Sequence, residues 1–490
     1  MISIHSDAQH GPSVAIQGRG RTAGSELRVA LNGSVSNSPN CRLRVEGPTH
    51  GSAGAWEWVF AIIAVTILLG LQSSWDASVV LRNGSSANDF ALAADTGSLP
   101  RQILGTVLGV ASLVYLSVLP RRASRWHSLI WLTVAWLAWL GVSTLWSVDV
   151  FLSSKRLLLT LIFAVSAATF SRISLATIFS GITLGSVANL IIGAIAELAH
   201  GTFHPLETGY RFAGLTHPNM QGATMASGLF AAIGLYITDA SRKHLALASA
   251  VLCFAGCMMT NSRTMIIALL AALLCGGILI AVRHFRTRGY GMHAAGVLLC
   301  AVAACTTVFT LSQHVRVDLL YALSTERDNG NPERLTGRVD LWRTCMRYVS
   351  GHAILGYGYG AFWSSKQIEA ISAEQGWPIN EAHSAYLDLA LMSGVPATAL
   401  FLTLISFCFI LSVCRFSRGD TLCFVWAMVM IFTLVASLTE SILLPVNFSS
   451  YFILTVIWLC GTRPENGVAL PRIASRFLRV YRNEQIIPAE

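Results

Sequence analysis

Four stretches of this 490-residue chain place residues able to do chemistry at short spacing. The first is Tyr210-Arg211-Phe212-Ala213-Gly214-Leu215-Thr216-His217-Pro218-Asn219. An Arg, a turn that Gly permits and a His-Pro-Asn opening a helix make a compact polar entry to an apolar segment. Pro218 suits the first helical turn, and the amide N–H groups there attract anions. The second is Thr260-Asn261-Ser262-Arg263-Thr264, a polar knot between two hydrophobic segments. An Arg held inside a bilayer costs ~2.5–3.5 kcal/mol on insertion scales, so Arg263 needs an anionic partner, from the protein or from a ligand. The third is Leu335-Thr336-Gly337-Arg338-Val339-Asp340-Leu341-Trp342, followed by Gly356-Tyr357-Gly358-Tyr359-Gly360. The fourth is Glu381-Ala382-His383-Ser384-Ala385-Tyr386-Leu387-Asp388.

These residue types suit one kind of reaction. Arg binds phosphate through permanently charged, bidentate hydrogen bonds. A His just above a membrane helix titrates near neutrality and serves as a base. The chain has no DxD-like or HExxH arrangement to hold a metal. His383 is therefore expected to take the proton of a sugar hydroxyl while Arg residues accept charge developing on a departing diphosphate. That is glycosyl transfer from a lipid diphosphate carrier, with no metal and no cofactor. The bland reading makes any single His a structural hydrogen-bonder and any single Arg a snorkelling side chain. The gathering of several cations with one His favours the chemical reading.

The elements that position these stretches are membrane helices. The chain is 53% hydrophobic and 12% charged, with a mean hydropathy of +0.58, whereas soluble domains carry about 25% charged residues. A bilayer span needs roughly 20 mostly apolar residues. Such stretches run Trp56–Gln72, Gln102–Leu119, His127–Trp146, Leu157–Phe170, Ser174–Leu198 and Pro218–Ile237. They continue with Leu245–Thr260, Met265–Val282, Gly291–Leu311, Val395–Val413, Leu422–Leu438 and Leu444–Cys460. The expected fold is an all-α polytopic membrane protein of about 12 transmembrane helices. A large periplasmic loop, 312–393, separates the ninth and tenth. Residues 1–55 read as a disordered cytoplasmic tail, 56–461 as the transmembrane domain, and 462–490 as a basic cytoplasmic tail.

Charge supplies the orientation. The net charge of +9 could suggest a nucleic-acid partner, but Lys and Arg sit between apolar spans. With the N-terminus inside, the inner loops hold Arg121, Arg122, Arg125, Arg172, Arg242, Lys243, Arg283, Arg286, Arg288, Arg415 and Arg418. The outer loops hold fewer, which is the positive-inside bias. Arg211, Arg263 and Arg338 are thus exceptions on the outer side, together with Lys155 and Arg156. Leu341, Trp342, Cys345 and Val349 recur at helical spacing, the mark of a short amphipathic helix over the membrane face. Gly356, Gly358 and Gly360 follow no strand, so they form a close-packed turn or a sugar-stacking surface and not a dinucleotide fingerprint.

In order and spacing these motifs resemble the O-antigen ligase/polymerase superfamily. The resemblance rests on Arg211…Gly214…His217-Pro218-Asn219, Ser262-Arg263-Thr264, Thr336-Gly337-Arg338…Trp342…Gly356-Tyr357-Gly358 and His383…Tyr386-Leu387, and covers roughly residues 130–455. Leu145-Trp146-Ser147-Val148-Asp149 with Lys155-Arg156, and Leu438-Thr439-Glu440-Ser441, resemble its exopolysaccharide-polymerase branch, the succinoglycan type. Ser384 departs from the family, where Asn often follows the His. The resemblance implies a metal-independent inner-membrane glycosyltransferase acting at the periplasmic face on undecaprenyl-diphosphate-linked glycans. It makes His383 the base and Arg211 a catalytic diphosphate ligand. Arg263, Arg338, Lys155, Arg156, His217, Asn219 and Glu440 become substrate-binding candidates. Expected partners are the lipid-linked glycan and membrane lipids, with chain-length-regulating and export proteins as candidates and no nucleic acid. A polymerase of repeat units is favoured over a ligase to lipid A-core, which uses the same leaving group. A transporter of lipid-linked sugars is disfavoured because the polar residues gather at the rim instead of mid-membrane.

Overall fold

The computed structural model describes residues 53–72, 98–118, 128–207, 210–287, 338–442 and 447–462. Among these every regular element is a helix, and the chain is an all-α polytopic membrane protein. The helices are α1 (Ala53–Gln72), α2 (Leu99–Val118), α3 (Ser128–Val142), α4 (Val150–Phe170), α5 (Leu175–Ala199), α6 (Pro218–Thr238), α7 (Lys243–Met259), α8 (Arg263–Thr287), α9 (Arg338–Gly351), α10 (Ser365–Gln375), α11 (Ala385–Ser417), α12 (Cys423–Ala436) and α13 (Phe448–Thr462). Helices α1 to α8 and α11 are long and apolar enough to cross a bilayer, and α12 and α13 are shorter apolar helices. The expected span Gly291–Leu311, most of the loop before Arg338 and nearly all of both expected tails lie outside the described residues.

Lipid tails are as apolar as Leu, so membrane helices associate through close packing of small residues. The centre of the bundle follows that rule. A Cβ added at Gly228 of α6 would stand 2.4 Å from the Ser186 side chain of α5 and 2.7 Å from the Cys253 sulfur of α7. Cys253 and Cys257 are buried, free packing residues.

Helix α11 is two helices joined at a break. Ser393 and Gly394 leave helical geometry, Gly394 at φ +78°, and Pro396 follows. The expected start of this span at Val395 marks that break. The freed backbone groups are taken up by the segment after α9: the Val395 N–H donates to the Ala353 carbonyl at 2.7 Å, and the Tyr357 N–H to the Leu391 carbonyl at 2.8 Å. A Cβ at Gly394 would fall 2.0 Å from the Ile354 carbonyl oxygen, so only Gly fits. The piece of α11 before the break, with α9 and α10, builds a small apolar unit around Leu341, Cys345, Phe362, Trp363, Ile368 and Ile371. This is the amphipathic helix expected from the Leu341–Val349 spacing, capping one end of the bundle.

Candidate active site

At that end meet the starts of α6, α8, α9 and α11 and the segments after α7 and α12. The Arg211 loop enters it from α5. Glu197 in the last turn of α5 is buried, and its Oε1 accepts from the Ala213 and Gly214 N–H groups, both at 2.8 Å. The Tyr210 hydroxyl donates to its other oxygen. Burial and this hydrogen bond push the Tyr210 hydroxyl well above its usual titration range. Gly214 adopts φ +61° and its Cα packs against Gly193, where an added Cβ would meet it at 2.8 Å. Phe212 ties the same loop to α7 through its N–H and the Met259 carbonyl, 2.9 Å apart.

The loop delivers Arg211 to Asn219. Arg211 Nη2 donates to Asn219 Oδ1 at 2.9 Å, and its Nε to the Thr260 carbonyl at 3.4 Å. Asn219 is held in place by the helix start: His217 is the N-cap of α6, its Nδ1 accepting from the Asn219 N–H at 3.3 Å. Ser262 Oγ, just ahead of Arg263, also donates to Asn219 Oδ1 at 2.9 Å. The amide of Asn219 then reaches across, its Nδ2 donating to Glu440 Oε1. One carboxamide therefore joins the first two sequence motifs to the segment after α12.

Glu440 is the hub. It is 4% exposed, and Arg338 Nη2 donates to its Oε1 at 2.6 Å while Nη1 donates to the Thr439 carbonyl at 2.5 Å. Its Oε2 lies 3.7 Å from His383 Nδ1. Glu381 Oε1 lies 3.1 Å from the same nitrogen, near enough for an ion pair although not aligned as a hydrogen bond. His383 itself adopts φ +49°, a left-handed conformation that costs an L residue about 1–2 kcal/mol. Its ring stacks on Trp377 at 5.8 Å between centroids. Such an outlier persists only where surrounding contacts determine it.

The charges settle each other. Burial pulls the His383 imidazole down, but Glu381 and Glu440 outweigh it and raise it to about 10. Burial raises the Glu440 carboxyl, and His383 and Arg338 together hold it below its usual range. Ligand-type atoms of Glu381, His383 and Glu440 lie within 4.8 Å of one another. Because Arg338 already occupies Glu440 Oε1, the trio is an ion-pair network in which guanidinium and imidazolium carry the positive charge.

The structure thus brings Arg211, His217, Asn219, Arg338, His383 and Glu440 into one hydrogen-bonded and ion-paired chain. Arg263 stands exposed at the start of α8, next to Ser262 of that chain. Lys155 and Arg156 go elsewhere: Lys155 lies over the Phe151 ring at 4.0 Å, and Arg156 donates to the Gly360 carbonyl. The Gly-aromatic segment is accordingly a packed turn, with Gly358 against Ser147 and Gly360 against Arg156. Glu440, expected to bind substrate, is enclosed by protein groups. Glu197 lies outside the four stretches, and Glu381 and Asp388 stand in the fourth with no role of their own assigned there. An acidic residue in an apolar span is expensive and so informative, a signal that the span Ser174–Leu198 offers for Glu197.

Comparison with known proteins gives one family match. Residues 248–402 match a family model described as O-antigen ligase, a stretch that contains Arg263, Arg338, Glu381, His383 and Asp388. No curated protein matches the chain. Over residues 248–402 the chain is thus similar to the O-antigen ligase family, and its membrane-helix architecture is that of a multi-pass membrane protein.

Proposed function

We propose that this protein joins lipid-diphosphate-linked oligosaccharide repeat units into a surface polysaccharide at the periplasmic face of a bacterial inner membrane. The observation that carries the reading is the chain Arg211–Asn219–Glu440–Arg338 ending on His383. It puts fixed cations beside a titratable ring, which glycosyl transfer from a diphosphate requires. The acceptor hydroxyl attacks the anomeric carbon of the donor sugar. The C–O bond to the lipid diphosphate breaks with its electron pair leaving on the diphosphate, and the hydroxyl proton goes to His383 in its neutral form, the fraction that grows as pH rises towards the ring's raised pKa. Arg211, with Arg263, receives the charge on the leaving group, and Arg338 holds Glu440 in place. Because Nδ1 of His383 faces the two carboxylates, Nε2 is the proton acceptor. No step calls on a metal or cofactor. The lipid-linked glycan and the bilayer are the partners, with chain-length-regulating and export proteins as candidates.

Transfer of a finished glycan to lipid A-core is the second reading, favoured by the ligase description of the matching family. The test is reconstitution of the purified protein in lipid with a synthetic undecaprenyl-diphosphate repeat unit as the only sugar substrate. A ladder of longer lipid-linked products supports the polymerase. Reaction only after lipid A-core is added supports the ligase. No covalent product with either acceptor, but movement of the lipid-linked sugar between leaflets, overturns both in favour of a transporter.

A further inference from the structure

One buried carboxylate touches both sides of the His383–Glu440 pair without facing substrate. Asp388, in the first turn of α11, is 1% exposed. Its Oδ1 accepts from Trp363 Nε1 at 2.7 Å and from the Ala382 N–H at 3.0 Å. Its Oδ2 accepts from the Ser441 hydroxyl. Ala382 immediately precedes His383, and Ser441 immediately follows Glu440. Two loops far apart in the chain, one ending 53 residues beyond Asp388 at Ser441 and one just before it at Ala382, are thus gripped by one rigid group seated on a helix.

We infer that Asp388 is the positioning residue of the site, fixing the separation of His383 from Glu440 through Ala382 on one side and Ser441 on the other. The inference rests on the reading of His383 as the proton acceptor. A carboxylate with two oxygens suits the task because each oxygen serves a different loop. Trp363 adds a third tie, to the segment that leads into α10. The left-handed backbone at His383 needs such over-determination, and a shift of about 1 Å in a reacting group can lower turnover about 100-fold.

The spacing also governs the titration of His383. The ring is faced by Glu381 from its own loop, by Glu440 with its partner Arg338, and by His217 from the α6 side, which Arg211 in turn neighbours. Letting the Glu440 loop drift removes one of the two anions, so the ring then loses its proton at lower pH. Asn at 388 keeps an acceptor for Trp363 and Ala382, and its amide can donate to a reoriented Ser441 hydroxyl. Ala keeps none of the three.

The experiment compares Asp388→Ala, Asp388→Asn and Ser441→Ala with His383→Ala, each normalised to folded protein in lipid. The assay is turnover of the synthetic lipid-linked repeat unit. Carbethoxylation of His383 by diethyl pyrocarbonate, read by mass spectrometry from pH 6 to 9, reports its neutral fraction without substrate. Expected are a loss of about 100-fold in kcat with little change in KM for Asp388→Ala, and most of the activity restored in Asp388→Asn. Ser441→Ala falls about tenfold, in line with one lost hydrogen bond to a charged group. In Asp388→Ala and Ser441→Ala, His383 becomes reactive at lower pH. Wild-type kcat and an unshifted modification profile in Asp388→Ala overturn the inference. If that variant does not fold, the same result in Ser441→Ala overturns it. An inactive His383→Ala beside an indifferent Asp388→Ala removes only the positioning role. An active His383→Ala removes the reading beneath it.

Discussion

The two arms of the site are built from the same residue types and use them differently. The Arg211 arm has a His, an Arg and a buried carboxylate, and so does the His383 arm. In the first, the carboxylate of Glu197 holds backbone N–H groups and a tyrosine hydroxyl, shaping a loop. In the second, Glu440 and Glu381 face cations, and charge itself is organised. His217 caps a helix, whereas His383 sits in a left-handed backbone between two anions. The difference teaches that the role of a His or an Arg in this protein is decided by what its neighbouring carboxylate touches. An arm shaped by backbone hydrogen bonds holds a fixed guanidinium well, and an arm shaped by ion pairs tunes a proton.

The strongest challenge to this division is His383→Ala. Loss of a general base lowers turnover by about 10²–10⁴-fold, so product ladders should vanish while the protein still inserts; normal polymer from the variant sinks the assignment. Arg211→Ala should follow, with about 10²–10³-fold lost from kcat/KM, the scale for removing one preorganised group that stabilises charge. Measuring kcat/KM against bulk pH separates the arms further. With His383 raised to about 10, its neutral form grows roughly tenfold per pH unit below that value. The wild-type rate should therefore climb from pH 6 towards pH 9, and a flat profile would make the ring a fixed cation. Glu440→Gln removes a negative neighbour, lowers the ring's proton affinity and moves the climb to lower pH, whereas Glu197→Gln leaves its position unchanged.

Arg338→Lys sharpens the comparison at smaller scale. A single ammonium cannot reproduce two guanidinium hydrogen bonds to different acceptors, Thr439 and Glu440, and about tenfold in kcat should be lost. Full activity would show that a single positive charge beside Glu440 is all the site asks of position 338. The smallest effect belongs to Glu197. Gln retains an acceptor for the two amides but gives up its charge, a loss of about 1–1.5 kcal/mol per hydrogen bond that falls on the loop's stability, so activity should stay within about threefold of wild type. Ala leaves buried N–H groups unsatisfied at about 1–3 kcal/mol each, and thermal unfolding in detergent should show the loss.

Much of this was legible in the sequence because lipid imposes a simple rule on composition. Roughly 20 apolar residues per span made the helices visible, and Ser393-Gly394-Val395-Pro396 marked the start of the span after the break. The Arg211-to-Asn219 and Ser262-Arg263 stretches also stood out, since polar residues at span ends are rare enough to notice. The pairings did not. Arg338 and Glu440 are 102 residues apart, and no local spacing joins them. Glu197 reads as a lone acid at the end of an apolar span, because its main partners are backbone groups that no residue type advertises, and Asp388 reads as one more polar residue of the outer loop, because Trp363 and Ser441 lie 25 and 53 residues away. Lys155 and Arg156 were grouped with the site by resemblance, yet their side chains lie on Phe151 and Gly360.

The grip of Glu197 on the Arg211 loop has a consequence for selectivity. Successive amide N–H groups beside a left-handed glycine form a concave nest, a shape in which proteins commonly seat phosphate. Here the chain fills that nest with its own carboxylate. The nest is closed to any incoming anion, so on the proposed reading a diphosphate is left to side chains that reach outward from the loop. Free phosphate, which a bare nest would capture, should compete poorly with a lipid-linked donor.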